Sequence, residues 1–156
     1  MAAAVGTALA TRVVRAQAPS PVLDWPAIRL LDGSTLAPAS WQGVAAVVVF
    51  WATHCAYCKR HNAHVDKLHR ASRGQPVRIL TLAEDHSEHA VRRYMQAHGY
   101  GFPVALSDGV LRARLTGRRI IPMTCVIDRE GRLRQAIPGE MTEDDVMGLA
   151  RAALRA

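Results

Sequence analysis

The chain is poor in the features that mark several protein classes. Aromatic residues make up 5% of its 156 positions, so aliphatic side chains must supply most of any core. No apolar run approaches the roughly 18 residues needed to span a bilayer. Three cysteines are an odd and low count, which excludes a scaffold stapled by disulfides. Lysine is nearly absent, with only Lys59 and Lys67, and the formal charge of +7 comes from arginine. Those arginines are spread along the chain, paired only at Arg92-Arg93 and Arg118-Arg119, with no aromatic stacking platform between them. Such a distribution describes a basic solvated surface and gives no sign of a nucleic-acid partner. There is no internal repeat.

What is present suffices for one folded domain, since 49% of the residues are hydrophobic. Residues 21–156 are assigned to it. Residues 1–20 are expected to lie outside the fold, as a lead-in or as the remnant of an export signal or membrane anchor. Ala2 to Ala10 is small and apolar, and Ala16-Gln-Ala18 has the form of a cleavage site, although Arg12 and Arg15 interrupt the stretch.

Along the domain, Ile28 to Leu31 with the Asp32-Gly33 turn predicts a short hairpin. Val44 to Trp51 is continuous and β-branched, as in a central strand covered on both faces. A helix is predicted from Ala56 to about Ala71 and a second strand over Val77 to Ala83, giving a right-handed β-α-β unit. Asp85 with Glu88 is read as the cap of a helix that stops at Gly99. A short strand over Phe102 to Leu106 and a helix over Val110 to Leu115 follow. Met123 to Asp128 and Leu133 to Ile137 form an antiparallel hairpin, and Thr142 with Asp145 caps a last helix reaching Leu154. The whole predicts an α/β fold with a central mixed sheet flanked by helices and a short N-terminal hairpin.

Cys55 and Cys58 fall where the central strand turns into the first helix. At that spacing their side chains share a helix face, with Cα atoms roughly 5 to 6 Å apart, a separation that a disulfide tolerates. The crevice at the carboxyl end of such strands is where open α/β sheets bind ligands. Cys55 enters the helix among free N–H groups at the positive end of the helix dipole, which favours a thiolate. Cys58 lies one turn deeper and is expected to stay a thiol. These positions assign Cys55 as the attacking sulfur and Cys58 as the resolving one. A competing reading joins the pair to His61 and His64 as a metal-handling module, although structural zinc sites usually draw their ligands from two separate segments. Covalent haem attachment needs histidine where Lys59 stands. Cys125, in an apolar run, is read as a small buried hydrophobe. His69, His86 and His89 are expected in solvent.

The stretch Phe50-Trp51-Ala-Thr-His54-Cys55-Ala-Tyr57-Cys58 resembles the thioredoxin superfamily, and most of all its TlpA/ResA-like branch of exported thiol–disulfide oxidoreductases. A second stretch, Ile121-Pro122-Met-Thr124-Cys-Val-Ile-Asp128, is similar to the same family. The resemblance implies a protein-disulfide oxidoreductase whose redox group is the Cys55–Cys58 disulfide, with no bound cofactor. It implies protein thiol and disulfide clients, with apocytochrome c or copper-site thiols as candidates, and an upstream thiol–disulfide electron donor. It further implies a periplasmic or otherwise exported location and a cis peptide at Pro122. That peptide would place Ile121 opposite Cys55, where its backbone can pair with an extended client. Trp51, His54, Tyr57, Ile121 and Pro122 are the expected client-binding residues.

Three departures from the family pattern bear on mechanism. Val49 stands where thioredoxins carry a buried aspartate. His61 occupies the position of the branch's usual glutamate, and Ala63 that of a proline. His61 is therefore the candidate to relay the Cys58 proton, set against an ordinary solvated helix histidine. His54 replaces a tryptophan; protonated, it would stabilise the thiolate. A thiol peroxidase, which shares the fold, needs a Pro-x-x-x-Thr-x-x-Cys arrangement that is missing around Cys55.

Overall fold

A computed structural model describes residues 20–155. The lead-in expected over residues 1–20 falls, except for Ser20, outside the described residues. Seven strands and four α-helices follow in the order β1 (Ile28–Arg29), β2 (Thr35–Leu36), β3 (Ala45–Trp51), α1 (Ala56–Ala71), β4 (Val77–Ala83), α2 (Glu88–His98), β5 (Val104–Leu106), α3 (Val110–Leu115), β6 (Met123–Ile127), β7 (Leu133–Pro138) and α4 (Glu143–Leu154). A short 3-10 turn over Pro38–Trp41 precedes β3.

The main sheet has the order β5-β4-β3-β6-β7, with β3, β4 and β5 parallel and β6 and β7 antiparallel additions. β3 lies at its centre, and all seven of its residues are buried. Its side chains alternate between two cores, as strand geometry requires. Val47, Val49 and Trp51 meet α1 and α4 through residues such as Val65, Leu68 and Val146. Ala46, Val48 and Phe50 face the other way, toward Leu111 of α3 and the stacked indoles of Trp25 and Trp41, whose ring centroids are 3.8 Å apart. Burying each of the valines and Phe50 contributes about 1.5–3 kcal/mol, so β3 anchors both cores.

The predicted order of elements is the observed one, with local corrections. The hairpin pairs only Ile28–Arg29 with Thr35–Leu36, because Leu31 turns away and donates its N–H to Val104 of the main sheet. The strand expected from Phe102 begins at Val104, with Pro103 unable to donate to the ladder. The α2 cap is Ser87, whose hydroxyl accepts from the Ala90 N–H. Asp85 serves a different purpose, described below. Thr142 caps α4 as predicted, accepting from Asp145 N–H at 3.2 Å.

Candidate active site

β3 ends at Trp51, and the chain turns through Ala52-Thr53-His54 into α1. Asp85, just beyond the neighbouring strand β4, holds this turn. Its carboxylate accepts the Thr53 N–H at 3.0 Å and the Thr53 hydroxyl as well. Cys55 is then the N-cap of α1 with extended backbone, φ −89° and ψ 112°. Its sulfur sits where a serine or aspartate oxygen would cap the helix, and it accepts the Cys58 N–H at 3.1 Å. The same N–H and the helix dipole stabilise negative charge on that sulfur once the disulfide opens.

Cys55 and Cys58 are joined as a disulfide, with Cα atoms 5.2 Å apart. The two halves differ in access: Cys55 is partly exposed, whereas Cys58 has no solvent contact. An incoming thiol can therefore reach only the first sulfur.

The Ile121-Pro122 peptide is cis. It brings the Ile121 carbonyl oxygen to 3.9 Å from the Cys55 sulfur, across 66 positions of sequence. Among the described residues neither the N–H nor the C=O of Ile121 has a backbone partner. The segment leading to it is anchored by Arg112, which sequence reasoning did not single out. Its buried guanidinium pairs with Glu84, donates to the Arg118 carbonyl and lies 4.4 Å over the Phe50 ring. Thr53, Asp85 and Arg112 all act through partners distant in sequence, so no local pattern marks them.

The expected client-binding residues divide. Tyr57 is 62% exposed beside Cys55, and its ring lies 5.1 Å from the Arg60 guanidinium. His54 is exposed and Ile121 partly so, while Pro122 is covered. Trp51 is not on the surface at all. As the last residue of β3 it points into the core and packs on Tyr94 and Phe102, so it supports the site from below.

His61 is wholly buried, which corrects the alternative of a solvated helix histidine. Its Nδ1 accepts the Met141 N–H at 3.3 Å. Nε2 therefore carries the proton and donates to the Thr124 hydroxyl at 3.1 Å. Burial, helped by nearby His64, brings its pKa down to about 4. At neutral pH His61 is an uncharged imidazole with both nitrogens engaged. Thr124, its partner, lies opposite Val49 in the β3–β6 ladder.

Among the described residues no three or more His, Cys, Asp or Glu side chains are grouped to hold a metal ion. Cys125 is buried in β6, and burial pushes its thiol up to about 12. His86 and His89 are exposed as expected, but His69 is partly buried, and that burial lowers its pKa.

Comparisons with known proteins agree with this geometry. The Redoxin family model matches residues 20–152. The thiol–disulfide oxidoreductase ResA of Halalkalibacterium halodurans is 28% identical over 116 residues, 74% of this chain and 66% of the relative. ResA of Geobacillus kaustophilus is 29% identical over 110 residues, 69% of this chain and 62% of its own length. The chain thus spans somewhat less than two thirds of the length of these two relatives. Among solved structures, a thioredoxin-family thiol:disulfide interchange protein from Chlorobium tepidum superposes with a TM-score of 0.80 at 23% identity, covering 88% of this chain and 99% of that one. A secreted disulfide oxidoreductase of Mycobacterium tuberculosis gives a TM-score of 0.70 at 22% identity, over 81% and 94% of the two chains. A closed Cys55–Cys58 pair on this fold is a site for thiol–disulfide exchange. The chain belongs to the redoxin family, has a thioredoxin-like fold and is similar to the ResA thiol–disulfide oxidoreductases.

Proposed function

We propose that the chain reduces or exchanges disulfides of exported proteins, with the Cys55–Cys58 couple as its redox group and no bound cofactor. The observation that carries this reading is the asymmetry of the pair: a helix-capping, reachable Cys55 above a sealed Cys58. In the reductive direction the Cys55 thiolate attacks a client disulfide and forms a mixed disulfide. Cys58 then attacks Cys55, releases the client as a dithiol and regenerates the intramolecular disulfide. Two electrons pass to the client, and an upstream thiol–disulfide donor must return them.

The client lies beside Ile121, whose N–H and C=O add it as a strand, with Tyr57 and His54 on the other side of the sulfur. Apocytochrome c and copper-site thiols are the client classes that the family resemblance suggests. Export is supported by the secreted M. tuberculosis neighbour and by a secreted thiol–disulfide isomerase of Corynebacterium glutamicum of similar fold, TM-score 0.73. Among the described residues no helix is long and apolar enough to cross a membrane.

The test is the equilibrium potential of the couple against glutathione, with reduction of a protein disulfide such as insulin's measured alongside. A potential near about −270 mV identifies a reductant and one near about −120 mV an oxidant. Failure to reduce or oxidise any protein disulfide refutes the proposal.

A further inference from the structure

Resolution of the mixed disulfide requires Cys58 to lose a proton in a place with no solvent contact. The carboxylate used elsewhere in the superfamily is replaced by Val49, and His61 has both nitrogens committed to Met141 and Thr124. Another group of polar atoms lies one turn further along α1. Asn62 is four residues after Cys58, so the two side chains share a helix face. It too is wholly buried. Neither its amide nitrogen nor its oxygen has a partner among the described residues, and the same holds for the Trp51 Nε1 and the Tyr94 hydroxyl.

The three side chains come from the end of β3, from α1 and from α2. The Trp51 and Tyr94 rings are 4.9 Å apart, in the core cluster that also contains Cys58. The Asn62 amide is near enough to influence the Tyr94 hydroxyl without making a well-formed hydrogen bond to it. Leaving such atoms unpaired in the interior is unfavourable. The indole gives one donor, the amide two donors and an acceptor, and the phenol one of each. That set matches the two to four polar partners that hold a buried water.

We propose that Asn62, Tyr94 and Trp51 hold an ordered water one helical turn from Cys58, and that this water accepts the Cys58 proton during resolution. The proposal rests on the exchange chemistry assigned to the pair. The step balances: the Cys58 S–H bond breaks, its sulfur forms the bond to Cys55, and the Cys55–client S–S bond breaks. The water passes the proton to the departing client thiolate, or to solvent when that thiolate is too weak a base to take it, so no proton or electron is left over. Asn62 is a positioning residue here, since it acts through the water.

The experiment follows reduced protein reacting with a chromogenic aromatic disulfide at pH 7. The first coloured thiolate reports attack by Cys55, and the second reports closure by Cys58. A positioned proton acceptor is worth a hundredfold or more, and loss of one of three ligands removes part of that, so Asn62→Leu is expected to slow the second phase by about tenfold. The first phase stays unchanged. Tyr94→Phe, which removes only one oxygen and preserves packing, slows the second phase less. Combining the two changes adds little, because both act on one water. A second phase at the wild-type rate in both variants overturns the inference. Equal slowing of both phases also overturns it, because that reports general disturbance of the site. Wild-type protein that releases only one equivalent of thiolate refutes the exchange reading itself, and this inference with it.

Discussion

The first two turns of α1 are chemically opposite. The first, with the turn leading into it, has His54 and Tyr57 exposed and Cys55 partly so, where the sulfur receives a backbone N–H and the helix dipole. The second carries Cys58, His61 and Asn62 with no solvent contact. The same helix thus offers one site that stabilises a charge and one that penalises it. That contrast lets two identical side chains divide a two-step reaction, with attack in the field at the helix entrance and resolution in the interior.

Removing either sulfur gives the largest effect. Cys55→Ser is expected to abolish exchange, while Cys58→Ser still attacks but stalls, so that a mixed disulfide with the client accumulates and is seen by mass spectrometry. Accumulation in the Cys55 variant instead would reverse the assignment of roles.

The interior turn can be probed through His61. Its folded pKa of about 4 lies below the ordinary 6.5, so the folded state holds the proton less well than the unfolded one. Its contribution to stability is present above pH 6.5 and is lost as pH falls toward 4. The shift corresponds to roughly 3 kcal/mol lost across that window. His61→Gln does not titrate and lacks this loss. Urea unfolding at pH 7 and pH 4 should therefore show the wild type losing more stability than the variant, and parallel losses would contradict the buried neutral imidazole.

The turn above it depends on Thr53 and Asp85. Thr53→Val deletes one of two hydrogen bonds to the carboxylate and is expected to cost about 1–2 kcal/mol in chemical denaturation. An unchanged midpoint would show that the turn does not rely on this bond. The smallest effect belongs to the third cysteine. Cys125→Ala is expected to leave exchange rates unchanged, and wild-type Cys125 to react with iodoacetamide only after denaturation. Labelling of native protein at Cys125 would contradict its burial.

The same contrast explains what the sequence revealed. β3 was legible because seven consecutive apolar residues admit only a doubly covered strand, and Cys55–Cys58 because the spacing is local. The burial of His61, Asn62 and Asp66 was not. α1 carries polar residues on its inner stripe, and residue type argued against the helical spacing 58, 61, 62, 65 that places them inward. At α2 both Asp85 and Ser87 are capping residue types. Only the distant demand of Thr53 for a carboxylate decides between them. Trp51 was named a client-binding residue because the family motif marks it, although an odd-numbered residue of β3 faces the core.

The division of roles turns on the charge state of Cys55, which the alkylation rate titrated in reduced Cys58→Ser protein tests most directly. The helix-capping sulfur predicts a midpoint at or below about 7.5. A midpoint near about 8.5, that of free cysteine, would contradict it.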